Sequence, residues 1–227
     1  MFIGHFAPAF LAATVTQRRA NSPGLATMFI AAQLVDWAFF VFAFVGIEKM
    51  RIDPDATVMV PFDLYHLPYT HSLLGSGAFA LGFAALLIVL RKDSVGALLA
   101  GLVVISHWGL DWLTHRPDLT LTGSGEAYGY GLWNFPAIGM PLEIGITVGA
   151  FLIYIRRSKG PLLPPLVLIS TLLFVQAVNW FAPHPESAGP MIYAQALLAF
   201  GILTAMAWWL GENRYGLRKA GLASGSR

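Results

Sequence analysis

The chain has 227 residues, 56% of them hydrophobic and 11% charged. An ordinary soluble domain carries about 25% charged residues, so this composition, with a mean hydropathy of +0.64, excludes such a domain and indicates an integral membrane protein. There is no cysteine, which excludes disulfides, thiolate metal sites and cysteine nucleophiles.

The first 17 residues form a short apolar run. It predicts a partly inserted N-terminal helix that carries Gly4-His5 and tolerates Pro8 near its start. Arg18 and Arg19 follow this run instead of preceding it. That order is wrong for a cleaved signal peptide, so the start of the chain is expected to stay in the mature protein. Six longer apolar runs follow, at roughly 25–47, 73–90, 95–113, 138–155, 162–182 and 191–210. Each is near the length of about 20 residues that crosses a hydrocarbon core. The expected fold is therefore all-α: a polytopic membrane helix bundle of six long spans plus the short inserted helix, one domain over residues 1–210. Residues 211–227 read as a basic tail.

The basic residues are unevenly shared among the connections. Arg18 and Arg19, two residues in the 91–94 link, three in the 156–161 link and four in the tail make eleven on one side. Lys49, Arg51 and Arg116 make three on the other, which accounts for all fourteen. The positive-inside rule then predicts a cytoplasmic C-terminus. The same split explains the pI of about 9.0 without a nucleic-acid partner. On this map all six histidines (His5, His66, His71, His107, His115 and His184) fall on the outer side.

The polar residues inside the runs carry the chemistry. Asp36 lies eleven residues from the outer end of its run, or roughly 16 Å at 1.5 Å per residue. It must face the bundle interior, or the helix must end before its apolar run does. His107, Asp111 and His115 follow one another at steps of four, which stacks them along one side of a helix. With His5 and His71 they make a set of imidazoles and carboxylates suited to Zn²⁺, Mn²⁺ or Fe²⁺. Several such ligands together can hold two ions that activate water and polarise a phosphoryl or acyl oxygen. Buried hydrogen bonds between helices, or a proton or ion pathway, would use the same residues. His66, His115 and Glu143 are candidates for acid–base work beside the ligands. Thr70 and Ser72 read as helix N-caps. Gly75, Gly77, Gly82 and the Gly145–Gly149 pair read as close helix-packing positions. Trp108, Trp112, Trp133 and Trp180 read as an aromatic belt. The glycine-rich stretch Gly123–Gly131 reads as an outer loop, or as a lid over the site.

Gly4-His5, the helical Asp36, His66-Leu-Pro-Tyr-Thr-His71-Ser72 and Ser106-His107-Trp-Gly-Leu-Asp111 resemble the motifs of a bacterial family of inner-membrane metal-dependent hydrolases, the LexA-binding inner-membrane-associated hydrolases. The resemblance covers about residues 1–145. It implies that His5, Asp36, His71, His107 and Asp111 are metal ligands, and that the chain is a hydrolase of the bacterial inner membrane. The order His, Asp, His, His-x-x-x-Asp is also similar to that of zinc-dependent phospholipase C. The family's Arg-Gly after the first histidine is Leu67-Pro68 here, so an arginine able to hold an anionic substrate is missing at that place. The expected function is metal-dependent hydrolysis of a lipid-like or phosphoester substrate near the outer face, with zinc the expected metal and membrane lipid the expected surroundings. A transporter, or a protein whose metal only ties helices together, would draw on the same cluster.

Overall fold

The computed structural model describes residues 1–216. A 3-10 turn, Ile3–His5, leads into α1 (Phe6–Thr16), followed by α2 (Leu25–Phe44), α3 (Leu73–Arg91), α4 (Ser94–Thr114), α5 (Pro136–Arg156), α6 (Leu163–Phe181) and α7 (Pro190–Asn213). All but α1 are long and apolar enough to cross a membrane. The expected bundle of six spans and one short helix is what is found. Helix α7 runs to Asn213, three residues past the apolar run, and the part of the tail beyond Gly216 lies outside the described residues.

The short helix is the centre of the bundle, not an attachment to it. Ile3, Phe6, Ala9 and Phe10 are almost wholly buried. Phe6 stacks on Phe29 of α2 with ring centroids 4.4 Å apart, and Phe10 meets Phe29, Phe151 and Tyr154. In lipid such packing rests on dispersion contacts, since lipid tails are as apolar as the core. Around it, α3 packs chiefly on α4 and α2 on α7.

The close approach of α3 to α4 uses Gly101, where a Cβ would sit 3.2 Å from the Ala80 carbonyl oxygen. The glycines expected to serve this purpose do not. A Cβ on Gly77, Gly82, Gly145 or Gly149 would meet nothing within 4 Å. Gly75 is crowded by the Tyr69 carbonyl in its own N-terminal turn. These helix faces turn toward lipid or a groove, and small size there reflects no neighbouring helix.

Three short antiparallel ladders close the two ends. At one end β1 (Lys49–Ile52) pairs with β2 (Phe62–His66), and β3 (Leu119–Thr120) with β4 (Ala127–Tyr128). At the opposite end β5 (Ser158–Lys159) pairs with β6 (Tyr215–Gly216). The Gly123–Gly131 stretch is tied down in the first of these caps. Gly123 lies against the Pro68 carbonyl, Gly129 against the carbonyls of His115 and Arg116, and the Tyr130 and Gly131 amides donate to Trp112 and His115 oxygens.

Candidate metal centre

Four elements bring their polar residues to one place. Helix α4 supplies His107 and Asp111 from consecutive turns, and His115 from the residue that ends it. His115 has left helical geometry, with φ −65° and ψ 147°, and Pro117 follows in sequence, so the helix cannot continue. Helix α2 supplies Asp36. It ends at Phe44, three residues before the apolar run does, so Asp36 lies only eight residues from its end, or roughly 12 Å. Its depth is thus less than the run length implied. His71 precedes α3 in a loop, and His5 closes the 3-10 turn.

Asp111 is the hub. Its Oδ1 lies 3.1 Å from His5 Nε2, 3.5 Å from His115 Nε2 and 2.7 Å from the Met1 nitrogen. Its Oδ2 lies 3.1 Å from His107 Nε2 and 3.7 Å from His71 Nε2. Asp36 Oδ1 is 3.3 Å from His71 Nε2 and 3.5 Å from His107 Nε2. The His5 and His107 rings stack in parallel, with centroids 3.7 Å apart and planes 3° apart. His5, His107 and Asp111, and likewise Asp36, His71 and His107, are grouped closely enough to hold a metal ion.

The outer partners fix which nitrogen of each ring is free. His107 Nδ1 is 2.8 Å from the Ala32 carbonyl oxygen, which can only accept, so Nδ1 carries the proton. Thr70 donates its hydroxyl to Glu48 Oε2 at 2.5 Å, which leaves the hydroxyl oxygen to accept from His71 Nδ1 at 2.8 Å. His115 Nδ1 donates to Asp118 Oδ1 at 2.9 Å. In the neutral imidazoles all three Nε2 atoms therefore present bare lone pairs to carboxylate oxygens. Lone pair against lone pair is repulsive unless a proton or a metal cation lies between them. His107 Nε2 and Asp111 Oδ2 are buried, and neither has a hydrogen-bond partner. The spacings of 3.1–3.7 Å match a tetrahedral ligand shell. Bonds of about 2.0–2.1 Å put ligand atoms roughly 3.3 Å apart. The donor set fits a divalent cation, with outer partners of the kind that orient metal-binding histidines.

The three acid–base candidates have different surroundings. His115 belongs to the cluster and lies under the Trp133 ring, centroids 4.3 Å apart. Glu143 is next to it but engaged: Oε1 accepts the amides of Phe2 (2.6 Å) and Gly4 (3.1 Å), and Oε2 is 3.5 Å from Gln176 Nε2. Gln176 Oε1 in turn accepts the Ile3 amide. Glu143 thus holds the turn that carries His5. His66 is exposed on β2, opposite Lys49, in a crevice of about 480 Å³ with Arg51, Asp63 and Arg116. It is not among the clustered histidines.

Of the neighbours, Ser72 caps α3, its hydroxyl accepting from the Gly75 amide at 3.0 Å. Thr70 is not a cap but the link from Glu48 to His71. Trp108 donates to the His71 carbonyl, and Trp133 is buried in the cap, so these two tryptophans serve the site instead of a lipid interface. Glu48, Asp118 and Gln176 join the site although sequence reasoning does not single them out. Only Asp118, three residues after His115, has a local signal. Comparison with family models, with curated proteins and with solved structures gives no match.

Proposed function

We propose that the chain is a multi-pass, metal-dependent hydrolase of the bacterial inner membrane, acting on a lipid-like or phosphoester substrate. One observation carries the reading: His71 and His107, each fixed by a partner on Nδ1, aim bare Nε2 atoms at the carboxylates of partly buried Asp36 and buried Asp111. His5, Asp36, His71, His107 and Asp111 would hold the metal, with zinc the first candidate and manganese or iron next. The bound metal would supply Lewis-acid polarisation of the scissile group and a water acidic enough to attack.

The protein's own residues do the rest. Asp36, the most exposed of the set at 18% of its side chain, faces the approaching substrate, and its Oδ2 takes the water's proton. Glu48 holds His71 through Thr70, and Glu143 holds the turn of His5, so that neither ligand swings away. A groove of about 1050 Å³ between α2 and α3 is lined by Tyr69, Ser72, Gly82 and Leu86 beside the cluster, though by none of the five candidate ligands. Its apolar length suits an acyl chain, which supports the lipid-like class. The charge split of the loops supports a site near the outer face with the C-terminus in the cytoplasm.

The test is hydrolysis by purified protein of a fluorescent phospholipid and of bis(p-nitrophenyl) phosphate, with metal per chain measured on the same sample. Activity should vanish with a chelator, return with Zn²⁺ or Mn²⁺, and be missing in His107→Ala. A metal-loaded protein inert on phosphoesters and acyl esters alike would favour a second reading. In that reading the ion only ties α2, α4 and the N-terminal turn together, which the near-complete burial of His5, His107 and Asp111 also fits. A reporter fused at the C-terminus should read cytoplasmic. A periplasmic reading would place the centre at the inner face.

A further inference from the structure

The end of the bundle away from the metal centre holds a second cavity, of about 450 Å³, where the last turn of α1, the first turn of α2 and the last turns of α7 meet. Arg19, Arg91 and Arg214 all line it. We infer that this cavity binds the phosphate of a phosphate ester, of the kind that a phospholipid headgroup carries. The inference does not use the metal centre.

The start of α2 supplies the first reason. Its N-cap is Gly24, and no side chain caps the helix. The amides of Leu25, Ala26 and Thr27 have no acceptor among the described residues, and all three residues line the cavity. The first amides of a helix, with its dipole, form a ready anion site.

Thr16 is an independent sign. It lines the same cavity and is 1% exposed, yet its hydroxyl has no hydrogen-bond partner. A threonine in a helix can bond the carbonyl one turn back, and this one does not. A buried hydroxyl left unpaired is costly, and a phosphate oxygen would relieve it. Gln17, also on the lining, donates from Nε2 to the Arg157 carbonyl at 3.3 Å. Its Oε1 is left buried and without a donor. That acceptor suits a hydroxyl or ammonium on the far side of the ester.

Charge agrees. Arg19 is answered by Asp93, and Arg214 donates only to a hydroxyl and to carbonyls. Arg91 pairs with no carboxylate among the described residues, and Glu212 is the only acidic residue on the lining. The balance is positive, and the start of α2 adds about half a unit charge. The volume is in the range of about 300–1,000 Å³ that small-molecule sites occupy. It takes a headgroup, while acyl chains would stay outside. In the orientation proposed above this end meets the cytoplasmic leaflet, whose anionic lipids attract clustered arginines.

The full chain, purified in detergent and stripped of lipid, tests this by titration and thermal shift. The probes are dihexanoyl phosphatidylglycerol and inorganic phosphate, with dihexanoylglycerol as the control that lacks phosphate. Wild type should bind the phospholipid, gain Tm with it and ignore the control. Thr16→Val keeps the side-chain shape and removes only the hydroxyl. It should leave the Tm of the ligand-free protein at or above that of wild type, and weaken binding about 10-fold. Arg91→Ala, at an exposed position, should weaken it about 5-fold at low salt. It becomes the deciding variant should Thr16→Val not fold. A response to the phospholipid alone assigns the cavity to a headgroup. A response to inorganic phosphate, with the same loss in the variant, upholds the phosphate site and assigns it to a free anion. No response to either probe, an equal response to the control, or unchanged affinity in the deciding variant overturns the site. Metal per chain should stay constant throughout, so none of these outcomes bears on the metal reading.

Discussion

At the end of the bundle closed by β5 and β6, the buried charges of Arg214 and Asp93 meet groups of the opposite character. Arg214, 6% exposed, donates from its three nitrogens to the Ser158 hydroxyl and to the carbonyls of Ile155, Ser158, Gly160 and Pro161. Asp93 accepts from Arg19 at 2.8 Å, from Ser22 and from the Gly96 amide that it caps. At the other end Asp36 and Asp111 face the Nε2 atoms of His71, His107 and His115, whose Nδ1 protons are committed elsewhere. Keeping charge out of water is costly at both ends, since an ionised group in a span costs roughly 3 kcal/mol or more. At the first end the chain itself offsets that cost. At the second end the Met1 ammonium, 2.7 Å from Asp111 Oδ1, offsets part of it, and Oδ2 of the same carboxylate is left without a hydrogen-bond partner. Burial of charge alone does not set the two ends apart. Burial with acceptors facing acceptors does.

Four experiments can break or sharpen this contrast. The largest effect is expected from Asp111→Asn. The amide keeps the shape and removes a charge from a costly place, so the fold should survive while metal affinity falls on the order of 100-fold or more, beyond the 10–100-fold scale of an outer partner. Hydrolysis should fall with it. Full metal occupancy with a lowered Tm would make Asp111 a tie of the same kind as Arg214, and the contrast would disappear.

Arg214→Ala should do the reverse. It strands buried carbonyls, each worth about 1–3 kcal/mol when left unpaired. Denaturation should report a loss of about 2–3 kcal/mol while metal per chain stays constant. A change in metal content would mean that the two ends are coupled. Glu48→Gln should be milder: the Tyr69 and Thr70 amides keep an acceptor, but His71 loses its charged support, and metal affinity should drop about 10-fold. Unaltered affinity would make Glu48 a loop anchor only.

The smallest effect concerns pH. Hydrogen bonds from Arg19 and Ser22 hold the Asp93 carboxyl down to about 2, from an ordinary 3.8. Its folded value is depressed, so its contribution is complete above pH 3.8 and is lost as pH falls through 2. Arg19 is 42% exposed, so that contribution should be under about 1 kcal/mol. Melting curves of wild type and Asp93→Asn should differ slightly at pH 5 and coincide near pH 2. A gap that widened in acid would show that Asp93 acts by another route.

The spans are legible in the sequence because a hydrocarbon core imposes one length and one composition on each of them. His107, Asp111 and His115 are legible because helix periodicity places residues four apart on one side. Asp36 is legible as a charge inside an apolar run and His71 as one of the outer-side histidines, but only the fold brings them together. The helix boundaries are less legible, and the apparent mid-membrane depth of Asp36 comes from counting Val45, Gly46 and Ile47 as helix. The outer partners are hardest to see. Glu48 and Thr70 are 22 residues apart, and Gln176 meets Ile3 from the far part of the chain. No spacing rule predicts such pairs, because loops and helix packing decide them. The tryptophans mislead for a related reason: Trp133 has the composition of a lipid belt, but a ring partner, His115, to cover.

The cradle around the first residues bears on biosynthesis. His5 leaves the ribosome well before the residues that make its seat, Glu143 on α5 and Gln176 on α6. Until then the N-terminal turn has no acceptor for its amides at that depth. The cluster can therefore close only after α5 and α6 have been made, and a nascent chain halted after α4 would carry His5, Asp36, His71, His107 and Asp111 without the seat that holds His5 among them. A His5 seated among its partners is, in effect, a record that α5 and α6 were completed.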